Sequence, residues 1–149
     1  MLRATTRHLV LLLVLFFGFN SSGIAQTKDQ IERLWLNPEK SAKIQIYKAN
    51  DGRYYGKIIW LKDPLRDGKP KVDYKNPDEK LRAQPIDGLV ILKGFKKISE
   101  KEYDDGTVYD PNNGKTYSCI IKYEGDKLNV RGFIGFSWIG RTAIFTKID

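Results

Sequence analysis

The sequence predicts an all-β antiparallel fold, a barrel or a sandwich, and three observations carry that expectation. Apolar and polar residues alternate with a period of two through most of the chain beyond residue 40. Gly, Asn and Asp turns separate the alternating runs. Helix signals are confined to one stretch, TKDQIERLWLN at 27–37, where Thr27 or Asp29 can cap a short helical segment and Asn37-Pro38 stops it.

The first residues have a different character. Arg3 and Arg7 precede an unbroken apolar run from Leu9 to Phe19, and small and polar residues follow up to Gln26. A positive start, a short apolar centre and small residues at Gly23 and Ala25 are the pattern of a secretory leader cut after Ala25. The run is well short of the ~20 apolar residues that span a bilayer, so no transmembrane anchor is expected. The expected organisation is a leader at 1–25 and one domain at 26–149, placed in the periplasm or secreted, and monomeric.

Strands follow in order. KIQIY (43–47) puts Ile44 and Ile46 on one face, and Asn50-Asp51-Gly52 is a hairpin turn whose residues accept positive φ. RYYGKIIWL (53–61) returns, rich in aromatic and β-branched side chains. Residues 62–88 then break the rhythm with four prolines, seven basic and six acidic residues. A connection this long is a functional lid or a disordered segment; its turns favour an ordered loop with a helical turn at PDEKLR. LVILKGF (89–95) is apolar on both faces. YDDGTVYD (103–110), KTYSCIIKYEG (115–125), DKLNVRGFIG (126–135) and RTAIFTKI (141–148) complete the set, and glycines at 56, 94, 132 and 135 suit barrel bends.

Composition removes several function classes. The single histidine, His8, lies in the leader, which excludes Ser-His-Asp triads, Cys-His pairs and histidine-ligated zinc from the mature protein. One cysteine, Cys119, excludes an internal disulfide, and its place in an apolar strand marks it as structural. The formal charge of +8 falls to +6 when Arg3 and Arg7 leave, since 24 basic residues then face 18 acidic ones. These charges are interspersed, so no nucleic-acid footprint stands out.

The stretch YDPNNGKTYSC (109–119) holds the sharpest motifs. Its Gly-Lys-Thr lacks the first glycine of a phosphate-binding loop, because Tyr109 stands there, and a strand follows rather than a helix. Its Asp-x-Asn lacks the remaining calcium ligands, since the chain supplies Gly114, Lys115 and Ile121. A turn remains: Asp110 accepts backbone amides, Pro111 fixes φ and Gly114 supplies a left-handed residue. No metal or cofactor is expected.

GKIIWL, NPDEKLRAQPIDGLVILKGF, DGTVYDPNNGKTYSCIIK and LNVRGFIGFSWIGRT, in this order and spacing, resemble the bacterial family known as domain of unknown function 2147. The resemblance spans nearly all of the mature chain. It implies a calycin or lipocalin-like up-and-down β-barrel of about eight strands, carried with a signal peptide, and supplies no activity. Three departures stand out: Arg33 replaces the glycine of an opening Gly-x-Trp, and Tyr103 and Phe145 stand where tryptophans are usual. The calycin likeness further implies that Trp35 packs at the closed end beneath Arg141 of the last strand, a cation–π contact.

Three functions follow. The first is a barrel that binds a small apolar or amphipathic ligand, with aromatic candidates Tyr55, Trp60, Phe95, Tyr117, Phe133, Phe136 and Trp138. Loop 62–88 would be its lid, with Asp73, Tyr74 and Asn76 selecting the ligand, and Asp110, Lys115 and Arg131 complete the candidate set. The second is a protein–protein module of the cell envelope with a filled barrel, recognising through the charged loop and the FSWIG turn. The third, an enzyme using carboxylate, lysine or tyrosine chemistry at Asp110, Lys115 and Tyr117, is disfavoured because turn formation already accounts for those residues.

Overall fold

The computed structural model describes residues 27–149; the leader and its cleavage site lie outside them. Ten strands form: β1 (Leu34–Leu36), β2 (Ala42–Lys48), β3 (Tyr54–Leu61), β4 (Leu65–Arg66), β5 (Lys69–Pro70), β6 (Val90–Lys97), β7 (Glu102–Asp110), β8 (Lys115–Glu124), β9 (Lys127–Phe133) and β10 (Gly140–Lys147). Eight close into a barrel in the order β1-β10-β9-β8-β7-β6-β3-β2, every neighbour antiparallel, while β4 and β5 form a separate hairpin. Successive strands are thus spatial neighbours, the up-and-down arrangement that short hairpin turns produce.

The alternation seen in the sequence becomes the two faces of the wall. In β2, Ala42, Ile44 and Ile46 are buried, and in β3 Tyr54, Gly56 and Ile58 are. Two glycines make room for the side chains that fill the base. A Cβ on Gly106 would lie 2.5 Å from the Phe95 ring, and one on Gly56 would lie 2.8 Å from Leu92. Both approaches are too close for any other residue, so these glycines are packing positions.

The segment before β1 departs from the helical expectation. It makes one turn, with Glu32 N–H donating to the Asp29 carbonyl at 3.0 Å and Asp29 N–H donating to Glu32 Oε1 at 2.7 Å. The chain then runs straight into β1. Ile31 and Trp35 are both fully buried, and the Trp35 indole N–H donates to the Ile31 carbonyl at 3.0 Å. Together they plug the end of the barrel.

β1 is also the shortest wall element. It meets β10 at only two pairs, Trp35 with Lys147 and Leu36 with Thr146, so Gly140–Phe145 pair with β9 alone.

The connection 62–88 is ordered. Asp67 and Gly68 both adopt positive φ between β4 and β5, the geometry of a tight two-residue hairpin turn. A single 3-10 turn at Glu79–Leu81 is capped by Asp78, whose carboxylate accepts from Lys80 N–H at 3.0 Å.

A half-filled barrel and its candidate ligand cavity

The interior divides along the barrel axis. At the closed end Trp35, Ile46, Leu92, Phe95, Tyr103, Cys119, Ile121 and Leu128 pack solidly. Asp29 anchors this end. The Tyr54 and Tyr103 hydroxyls donate to its carboxylate at 2.9 and 2.5 Å, and Lys97 Nζ lies 3.0 Å away. Burial works to raise the Asp29 pKa, but the Tyr103, Lys97 and Tyr54 donors outweigh it and hold the carboxyl below its ordinary range. Burial, reinforced by the bond to Asp29, pushes the Tyr54 phenol up to about 12.

Toward the other end the interior is open. A cavity of about 1450 Å³ has a floor of the aliphatic Ile44, Ile58, Ile91 and Val130, with the Phe145 ring beside them, and widens to a mouth lined by loop residues. Ligand pockets commonly span ~300–1,000 Å³; this one is larger because it includes the space between the mouth loops.

The connection 62–88 borders that mouth and is braced from below. Asp73 is fully buried and accepts from the Tyr109 hydroxyl at 2.8 Å and from Asn76 Nδ2 at 2.7 Å. Burial first, and this bond to Asp73 second, push the Tyr109 phenol up to about 12. Lys75 Nζ donates to the Asn112 carbonyl at 2.7 Å. Gly114 has φ +72°, and a Cβ there would fall 2.1 Å from the Lys75 carbonyl oxygen. The turn at 110–114 is therefore a docking surface for the long connection. Within it, Asp110 accepts from Asn112 N–H at 2.9 Å and the Asn113 side chain accepts from Lys115 N–H at 2.8 Å.

The candidate residues divide accordingly. Tyr74, Asp110, Tyr117 and Phe133 line the cavity. Asp73 and Asn76 do not; they are the brace beneath the loop. Phe95 belongs to the packed base. Tyr55 sits on the outer face, donating to Asp51 at 2.7 Å and stacking on Tyr47. Trp60 is a surface residue with Lys43 Nζ 5.1 Å from its ring centre. Lys115 is exposed beside the turn and outside the cavity lining. Arg131 is a clamp for the β9–β10 loop, with Nε on the Ser137 carbonyl at 2.7 Å, a second nitrogen on the Trp138 carbonyl at 3.2 Å and a third on Thr142 Oγ1 at 3.1 Å. That loop holds Trp138, 71% exposed, stacked on Phe136 at 4.5 Å.

Trp35 and Arg141 do not meet. Arg141 pairs with Gly132 and lines the mouth, six residues along β10 from Lys147, the partner of Trp35. Six residues of strand are roughly 20 Å. Trp35 instead packs edge-on against Tyr123, ring centres 6.3 Å apart.

The cations Arg66, Lys71 and Lys75 on the cavity wall were not among the sequence candidates. Their loop was legible as a lid, but nothing in its pattern separates wall residues from solvated ones. The Asp29–Tyr54–Tyr103 anchor was also missed, since its members are up to 74 residues apart and no local motif joins them.

The family model described as "Uncharacterized protein conserved in bacteria (DUF2147)" matches residues 34–147, the whole barrel from β1 to the end of β10. The chain belongs to this family. No curated protein matches it. Among solved structures it is similar to one described as "Protein HP1028 from the human pathogen Helicobacter pylori belongs to the lipocalin family", with 23% identity and a TM-score of 0.73 over 82% of this chain and 85% of that one. At that identity the likeness concerns the fold, a lipocalin-like barrel.

Proposed function

We propose that this member of the DUF2147 family is a binding barrel for a small apolar or amphipathic ligand, acting outside the cytoplasm once its leader is removed. The observation that carries the reading is the half-filled interior, in which an aliphatic floor opens into a polar mouth. The packed base supplies stability, so the open half is free to hold a guest. The leader-like start at 1–25 supports a periplasmic or secreted site of action.

Native mass spectrometry of protein purified from the periplasm of its own bacterium is the direct test. A co-purified small molecule, lost when Ile58→Trp fills the floor, is the expected result. A bare mass together with no displacement of an environment-sensitive lipid probe refutes the reading.

The exposed Phe136–Trp138 pair supports a second reading, contact with another envelope component through the β9–β10 loop. Phe136→Ser/Trp138→Ser would abolish such contact and leave cavity binding unchanged.

A further inference from the structure

The cavity wall carries an imbalance of free charge. Arg66, Lys71, Lys75 and Arg141 line it, against Glu39, Asp63 and Asp110. Among the described residues, none of the four cations forms an ion pair, whereas cations elsewhere on the barrel do: Lys96 with Asp105 at 2.8 Å, Lys97 with Asp29 at 3.0 Å. The wall therefore carries one more cation than carboxylates, and two of those carboxylates are turned to local neutral donors. Glu39 accepts from Asn37 Nδ2 at 2.9 Å, and Asp110 accepts from Asn112 N–H. The Lys75 ammonium reaches only a carbonyl oxygen, which leaves its charge unneutralised.

Arg66 and Lys75 are gathered on one ring. The Arg66 guanidinium carbon lies 4.6 Å from the centre of Tyr74, and Lys75 Nζ lies 5.5 Å from it. Two cations held at one ring add to the positive potential there, and an anion between them would offset it. Hydrogen bonding by the Arg66 guanidinium first, and then by the Lys75 ammonium, lowers the Tyr74 pKa below its ordinary value against the opposing effect of burial. From this mouth the lining runs down β10 to Phe145. Five strand steps at the tilt of a barrel give a depth of roughly 13 Å, room for an alkyl chain above the aliphatic floor.

We propose that Arg66, Tyr74 and Lys75 form a head-group site at the mouth, selecting an amphiphile with one anionic end and an alkyl tail that enters the barrel. This rests on the ligand-binding reading and adds the charge of the ligand to it.

The test is isothermal titration calorimetry of the mature protein with three amphiphiles of equal chain length, dodecanoate and dodecyltrimethylammonium below their micelle concentrations and dodecanol below its solubility limit. Dodecanoate should bind at least about tenfold tighter than dodecanol, the effect of charge-assisted hydrogen bonds to the head group, and the ammonium weakest. Arg66→Gln should remove most of the dodecanoate advantage and leave dodecanol unchanged. Lys93→Gln, the same charge change at an exposed position outside the cavity, should alter neither. Equal affinities for all three amphiphiles, or equal losses in Arg66→Gln and Lys93→Gln, overturn the head-group site while the ligand-binding reading stands. Binding of none overturns both.

Discussion

Replacing Gly114 with alanine tests whether the long β3–β6 connection is docked on the β7–β8 turn or merely lies near it. Gly114 and Gly125 have almost the same backbone, φ +72° and +70°, so alanine at either meets the same left-handed strain, about 1–2 kcal/mol. Their surroundings differ. A Cβ at Gly125 meets nothing within 4 Å, whereas at Gly114 it would sit 2.1 Å from the Lys75 carbonyl oxygen. That oxygen belongs to the backbone, so no side-chain rotation relieves the contact. The loop must withdraw by about an ångström, straining the Lys75–Asn112 bond and the buried Asp73–Tyr109 pair. Losing one such bond, or leaving one buried group unpaired, costs about 1–3 kcal/mol. Gly125→Ala is therefore expected to destabilise by about 1–2 kcal/mol and Gly114→Ala by about 2–5 kcal/mol. Urea unfolding measures both totals. Limited proteolysis within 62–88 should accelerate only in Gly114→Ala. Equal destabilisation with unchanged proteolysis would refute the docked loop.

Two further outcomes follow from the packed base. The Asp29 carboxyl is held below its ordinary value of 3.8, so its contribution is complete above that value and disappears as pH falls through the lower folded one. Asp29→Asn should cost about 1–3 kcal/mol at neutral pH, with the gap to the native protein closing progressively as pH falls below 3.8 in acid-unfolding curves; a gap independent of pH contradicts the anchor. Burial first, with Asp104 adding to it, pushes the Cys119 thiol up to about 12, so a water-soluble aromatic disulfide at pH 8 should label it only in denaturant. Rapid labelling of the folded protein would place the thiol outside the packed base.

The barrel strands were legible because alternation and turn chemistry point the same way, as in KIQIY-Lys-Ala-Asn-Asp-Gly leading into RYYGKII. The first strand was not. Ile31 and Trp35 are four apart and both buried, the spacing of a helical face, yet a turn and a strand bring them together as well as a helix would. Arg141 misled for another reason: the calycin likeness matched a residue type and a strand, while the contact depends on position along that strand. Asp73 and Asn76 looked like ligand selectors because polar loop residues usually face water. Their burial rests on Tyr109, 36 residues beyond Asp73, a partner that no local pattern reveals. The cavity itself was half legible. The supply of inward aromatics fitted both a filled and an open barrel, and the molecule uses both, one at each end.

On the ligand-binding reading proposed above, the short first strand bears on how fast a guest would leave. Where β8 and β9 are stitched by seven residue pairs, β1 and β10 share two, and Pro38 has no amide to carry the ladder further toward the mouth. From Gly140 to Phe145, β10 pairs with β9 alone, and this stretch runs alongside the cavity floor. The least costly opening of such a wall is a lateral parting between β10 and the β1–β2 turn, because it breaks the fewest backbone bonds. On the proposed ligand-binding reading, residence time would be set by that seam, and a long chain would not need to thread past the braced loop at the top.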